Sequence, residues 1–135
     1  AARFLLAEDL SDRAGAVLEG FIRGETALIA PTLITYEGGN ALRKAVAMGY
    51  ISRGEAANRL GSFVEMGIGC LWPGRGECLR ALELSAAEGM TFYDAAYIAA
   101  AEKAGAPLIT ADEALYKKAS QTVKAIRLKD YPGPD

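Results

Sequence analysis

Short apolar runs alternate with longer stretches of helical periodicity along this chain, and glycine or proline separates nearly every pair. Residues 11–23 place Ala14, Val17, Leu18, Phe21 and Ile22 at helical spacing, and Gly24 ends the run. Residues 26–30 (TALIA) form a continuous apolar stretch stopped by Pro31, the pattern of a strand buried on both faces. A helix is expected over residues 32–47 through Leu33, Tyr36, Leu42 and Val46, with Gly49 just past its end. Ser52 and Glu55 have the spacing of a capping box for a helix over residues 53–66. Residues 68–72 (IGCLW) read as a second buried strand, halted by Pro73. A helix over residues 76–88 follows through Leu79, Leu82 and Ala86, with Gly89 as its cap. Thr91 opens a helix to about Ala104, followed by Gly105. Residues 107–110 (PLIT) make a third strand, residues 113–119 a short helix, and residues 123–128 (VKAIRL) a closing strand.

Strands alternating with amphipathic helices indicate a single α/β domain over residues 1–135 with a mainly parallel sheet and helices on both faces. Ligands of such sheets bind outside the carboxyl ends of the strands. Residues just after a strand, or early in the next helix, are therefore the places to look for chemistry.

Composition narrows that chemistry. Histidine is absent from the 135 residues, which excludes a Ser-His-Asp triad, a histidine base and histidine-ligated zinc. Cys70 and Cys78 are too few for a disulfide framework or a four-cysteine zinc site, and read as free thiols of a reducing, cytoplasmic compartment. Seventeen acids against fifteen bases give a net charge of −2, so the chain is no general nucleic-acid coater. No apolar run reaches the ~18 residues of a membrane span, and no signal-peptide pattern opens the sequence.

Three acids meet the placement criterion. Asp94 is the only charge in the stretch 91–101 and is expected to be largely buried, where a lone carboxylate must be paired, hydrogen-bonded or bound to metal. Asp112 follows the strand ending at Thr110. Glu37 lies one turn into the helix after the first apolar run. Each also has a purely structural reading: Thr91 and Asp94 as a capping box, Asp112 as an N-cap, Glu37 as a solvated helical residue. One shared acidic pocket explains all three together. Carboxylates brought close repel unless a cation neutralises them. Oxygen ligands without cysteine or histidine select Mg²⁺ or Mn²⁺, and the chemistry indicated is phosphodiester hydrolysis. A receiver-type phosphoacceptor domain, which also has an acidic pocket, is set aside because no acid ends the strand before Pro73.

The segments Pro31-x₅-Glu37-x-x-Asn40-Ala41-Leu42, Gly89-Met90-Thr91-Phe92-Tyr93-Asp94-Ala95-Ala96-Tyr97 and Thr110-Ala111-Asp112, with the opening Phe4-Leu5-Leu6-Ala7-Glu8-Asp9, resemble the PIN-domain nucleases, most of all the VapC toxins of prokaryotic toxin–antitoxin pairs. That resemblance implies a three-layer α-β-α, Rossmann-like PIN domain and an endoribonuclease dependent on Mg²⁺ or Mn²⁺. It maps the family's acidic set onto Glu37, Asp94 and Asp112, with Thr110 as the accompanying hydroxyl. The family's first strand, which ends in a metal-binding Asp, has no counterpart ahead of Phe4, and with no initiator methionine the sequence is expected to be incomplete at that end. The resemblance also implies a homodimer and a VapB-type antitoxin seated beside the pocket. A basic side chain of that antitoxin would stand among Glu37, Asp94 and Asp112 in place of the metal's charge. Leu33, Tyr36, Leu60, Phe63, Val64 and Met66 supply more apolar surface on the first helix pair than one sheet face needs. Arg43, Lys44, Arg53, Lys117 and Lys118 are the candidate contacts to RNA phosphates. A non-catalytic α/β protein-interaction domain, its acids serving only as caps, is the competing reading. It expects no stabilisation by Mg²⁺.

Overall fold

A computed structural model describes residues 23–24 and 28–131. The expected helix at residues 11–23 and the opening Phe4–Asp9 segment lie outside the described residues, apart from Arg23, as do residues 26 and 27 of the first apolar run. From there the elements are β1 (Ile29–Pro31), α1 (Leu33–Ala47), α2 (Arg53–Glu65), β2 (Gly69–Leu71), α3 (Arg75–Glu88), α4 (Phe92–Ala104), β3 (Leu108–Thr110), α5 (Glu113–Ala119) and β4 (Ala125–Arg127), closed by a 3₁₀ turn at Leu128–Asp130. The second, third and closing strands are shorter than their sequence patterns, whereas β1 runs through Pro31, expected to stop it, which pairs with Leu71; each described α-helix falls within a residue of its expected bounds.

All strand pairing among the described residues is parallel. β1 pairs with β2 in the register Ile29–Gly69, Ala30–Cys70, Pro31–Leu71. β3 pairs with β4 in the register Leu108–Ala125, Ile109–Ile126, Thr110–Arg127. Parallel neighbours need a crossover; here α1 and α2 make the first and α5 the second. The two ladders are not hydrogen-bonded to each other among the described residues. Helix α4 joins them, packing against both β1 and β3.

Local sequence fixes the helix ends. Ser52 Oγ accepts the Glu55 amide at 3.0 Å at the start of α2. Thr91 Oγ1 accepts the Asp94 amide at 3.1 Å at the start of α4. Gly89 and Gly105 close α3 and α4 in the left-handed region, at φ 65° and 63°, where a side chain would be strained.

The buried helix faces differ from those read off the large apolar residues. In α1 the buried side is Ile34, Gly38, Leu42 and Ala45, while Tyr36 is 75% exposed. In α3 it is Ala81 and Leu84, and Leu79 and Leu82 face outward. The reason lies in α4, whose buried face is mostly alanine: Ala95, Ala99 and Ala101 around Ile98. Small residues on both sides let α3 and α4 approach closely, so Ala81 marks the contact better than a leucine does. Arg80 of α3 reaches Glu102 of α4 at 3.1 Å along the rim.

Two core clusters result. One gathers Ala81, Leu84, Met90, Ile98, Leu108 and Leu115 with the alanines around them. The other gathers Ala30, Ile34, Leu42 and Phe63. Tyr97 packs against both.

A candidate acidic site

Helix α4 and the two ladders border an open cavity of about 510 Å³. Its wall is largely apolar, built from both ladders, with Ile34, Ile68 and Leu115 among the helix and loop residues. Its polar side chains are few: Glu37, Asp94, Tyr97, Thr110, Asp112 and Tyr131. Glu37, Asp94, Asp112 and Thr110, all singled out from the sequence, thus line one cavity although they come from α1, α4, β3 and the start of α5.

Each acid is placed by its local structure. Asp94 sits in the first turn of α4, anchored through its amide to Thr91. Asp112 is the N-cap of α5: its Oδ1 accepts the Leu115 amide at 3.1 Å, and its own amide donates to Thr110 Oγ1 at 3.0 Å. Thr110 is therefore the last residue of β3 and the brace of the turn that aims Asp112. A carboxylate has more acceptor positions than one cap uses, so capping leaves Asp112 capacity to face the cavity. Glu37 stands in α1, and its Oε1 accepts a hydrogen bond from the Tyr97 hydroxyl.

Asp94 was expected to be largely buried. It is half-buried instead, because Thr91, Phe92 and Tyr93 at the helix start are exposed and leave that turn open on one side. Its carboxyl is nevertheless held above the usual value of 3.8, first by burial and then by the negative charge of Asp112; Lys118 and the Thr91 hydrogen bond act the other way. The Lys118 amine is itself tied to the Gly89 carbonyl at 3.2 Å. Asp94 and Asp112 thus form a pair that feel each other's charge, with one lysine partly offsetting it.

This sets a pH dependence. The folded protein binds the Asp94 proton more tightly than the unfolded chain does. Stability from this group is therefore greatest at low pH and falls as pH rises from about 3.8 through the raised value. In protein stripped of metal, Asp94→Asn is expected to flatten that decline. Urea unfolding of both proteins between pH 4 and pH 7 measures it, and parallel curves would show that Asp94 is not strained.

The residues suit a hard divalent cation in kind, since every donor is an oxygen. Among the described residues, however, no three acids or cysteines gather as tightly as an ion held directly by all of them requires. Asp94 and Asp112 are the two that could serve as direct ligands, with Glu37 on the wall of the same cavity. That suits Mg²⁺, which keeps several waters and takes one or two carboxylates.

The basic candidates are dispersed. Arg43, Lys44 and Arg53 are exposed on α1 and α2 and do not line the cavity, and Arg43 Nε donates to Asn40 at 2.9 Å. Lys117 is exposed on α5. Lys118 is the one whose charge reaches Asp94. Tyr97 was quoted from the sequence within a motif but given no role. Its signal was its position one helical turn after Asp94, as a polar tip on a helix otherwise apolar on that side.

Comparison with known proteins bears on the family and the fold. A family model described as the PIN domain matches residues 3–121. A curated relative, Ribonuclease VapC3 of Pyrobaculum aerophilum, is 38% identical over 87 residues, a match spanning 64% of this chain and 66% of the relative. The chain thus spans about two-thirds of the length of the curated relative it matches. The crystal structure of PAE2754 from Pyrobaculum aerophilum superposes with a TM-score of 0.68 at 29% identity, covering 91% of this chain and 87% of that one. With the motifs, the parallel α/β architecture and the family match over most of its length, the chain belongs to the PIN-domain family, and within it resembles the VapC type.

Proposed function

We propose that this protein is a metal-dependent endoribonuclease acting as the toxin of a toxin–antitoxin pair. The observation that carries the reading is the half-buried Asp94 beside the exposed Asp112, both lining a cavity that Glu37 and Thr110 also line at the carboxyl ends of β1 and β3. A relative that bears the name ribonuclease supports the choice of RNA.

Asp94 and Asp112 would hold the cation. Bound there, Mg²⁺ or Mn²⁺ would supply Lewis-acid charge and an activated water for phosphodiester hydrolysis. Thr110 keeps Asp112 aimed through its hydroxyl. Glu37, an acceptor-only group, receives hydrogen bonds from water on the far wall. In this reading Lys118, whose charge reaches Asp94, contacts an incoming phosphate, and the other basic residues serve as outlying contacts along the RNA.

The partners follow from the surface. Tyr36, Met48, Tyr50 and Val64 of the α1–α2 region are each more than half exposed. Large apolar side chains left in water at such density mark an interaction surface. The reading assigns it to a second copy in a homodimer and to a VapB-type antitoxin. Among the described residues no helix is long and apolar enough to cross a membrane, and the proposed site of action is the cytoplasm.

The competing reading, an interaction domain with acids as caps, draws on the caps that Thr91 and Asp112 make. Mn²⁺ separates the two. The nuclease reading expects Mn²⁺ to raise the thermal midpoint in a dose-dependent way that EDTA reverses, and a labelled single-stranded RNA to be cut in Mn²⁺ but not in EDTA. A midpoint indifferent to Mn²⁺ together with uncut RNA decides for the interaction domain.

A further inference from the structure

We propose that Tyr97 is a positioning residue for the acidic cavity, fixing the Glu37 carboxylate through its phenolic hydroxyl. This rests on the nuclease reading above and deepens it.

Three observations converge on Tyr97. Its hydroxyl donates to Glu37 Oε1, joining residues 60 positions apart in the chain. Its ring packs against both core clusters, the one around Ile98 and the one around Ile34 and Phe63. A ring gripped on two sides delivers its hydroxyl to a fixed point. Finally, Tyr97 stands one turn after Asp94 on α4 and lines the same cavity as Asp94, Asp112 and Glu37.

The chemistry follows from what Glu37 lacks. Asp94 and Asp112 are each fixed by the capped helix start on which they sit. Glu37 lies inside α1, on a longer side chain with more rotatable bonds, in a residue that is exposed overall. Left alone it would sample several rotamers, and holding one of them costs entropy when a cation binds. The Tyr97 hydroxyl meets that cost in advance. It occupies one lone pair of Oε1 and leaves Oε2 for the cation or one of its waters. Outer partners that orient a ligand in this way typically change metal affinity by about 10-fold or more when removed.

The test is a double-mutant cycle read by Mn²⁺ binding, with free Mn²⁺ followed by its electron paramagnetic resonance signal. The proteins are the unaltered chain, Tyr97→Phe, Glu37→Gln and the double variant. Phenylalanine keeps the ring in both clusters, so the thermal midpoint without metal should stay close to that of the unaltered chain. Tyr97→Phe should weaken Mn²⁺ binding about 10-fold, and adding it to Glu37→Gln should cause no further loss. Equal weakening with or without Glu37→Gln would mean that the Tyr97 hydroxyl acts independently of Glu37, and the inference falls. It also falls, alone, if the unaltered chain binds Mn²⁺ and Tyr97→Phe binds it equally well. If the unaltered chain binds no Mn²⁺, the metal reading itself fails and takes this inference with it.

Discussion

Asp94→Asn is expected to abolish metal-dependent RNA cleavage and leave the fold intact. Asparagine keeps the size of the side chain, and the backbone amide of residue 94 still donates to Thr91, so α4 starts in the same place. What disappears is a negative charge that the folded protein holds at a cost, against burial and against Asp112. Removing it relieves that cost, while forgoing about 0.3–1 kcal/mol of favourable interaction with the helix N-terminus. The two effects oppose each other, and stability should change little at neutral pH. Activity should not survive. A cation bound at this site contributes several kcal/mol of charge stabilisation, and each 1.36 kcal/mol is tenfold in rate. A loss of at least about 100-fold follows, with a parallel fall in Mn²⁺ affinity. Urea unfolding, Mn²⁺ titration and a cleavage assay on the same preparations measure all three. Cleavage retained at saturating Mn²⁺ would count decisively against the proposed ligand role.

The parts of the fold most legible in the sequence are those governed by local chemistry. Glycine and proline stop signals, with Ser52, Thr91 and Asp112 as caps, located every described helix to within a residue. These signals work because a helix end must satisfy its orphan amides from nearby groups. Strand positions were legible for the same reason, although each strand has three residues and β1 extends through Pro31, which was expected to end it. Helix faces were less legible. Periodicity in α1 and α3 favoured the large side chains Tyr36, Leu79 and Leu82, all of which are exposed. The buried side is chosen by the partner helix, whose shape is not a local property.

The candidate site divides along the same line. Glu37, Asp94, Thr110 and Asp112 could be named because sheet topology sends strand ends to one place, and because the motif resemblance pointed to the same residues. Their mutual arrangement could not be read. Asp94 is half-buried rather than sealed, and Glu37 joins the cavity without closing a tight three-acid cluster. The hydrogen bond from Tyr97 to Glu37 depends on how α1 and α4 cross, and no sequence spacing encodes a contact between residues 60 apart.

Ile98→Ala is expected to cost about 2–5 kcal/mol of stability, the range for truncating a well-packed aliphatic side chain. Ile98 is fully buried and is the largest side chain in that state among the described residues. It lies in the same cluster as Ala81 of α3, Leu108 of β3 and Leu115 of α5. Its neighbours there include rigid alanines on its own helix, which cannot lengthen to fill the gap. Leu82→Ala is the informative contrast. Periodicity along α3 marks Leu82 as core, yet it is 58% exposed in the single chain. Its truncation should change stability by no more than about 0.5 kcal/mol. Urea unfolding of the two variants at several protein concentrations separates packing within the chain from packing between copies. The Ile98→Ala loss should be the same at every concentration. A large Leu82→Ala loss that shrinks on dilution would place α3 in an interface between copies. A large loss independent of concentration would mean that Leu82 is buried within the chain, overturning the outward orientation of this face of α3.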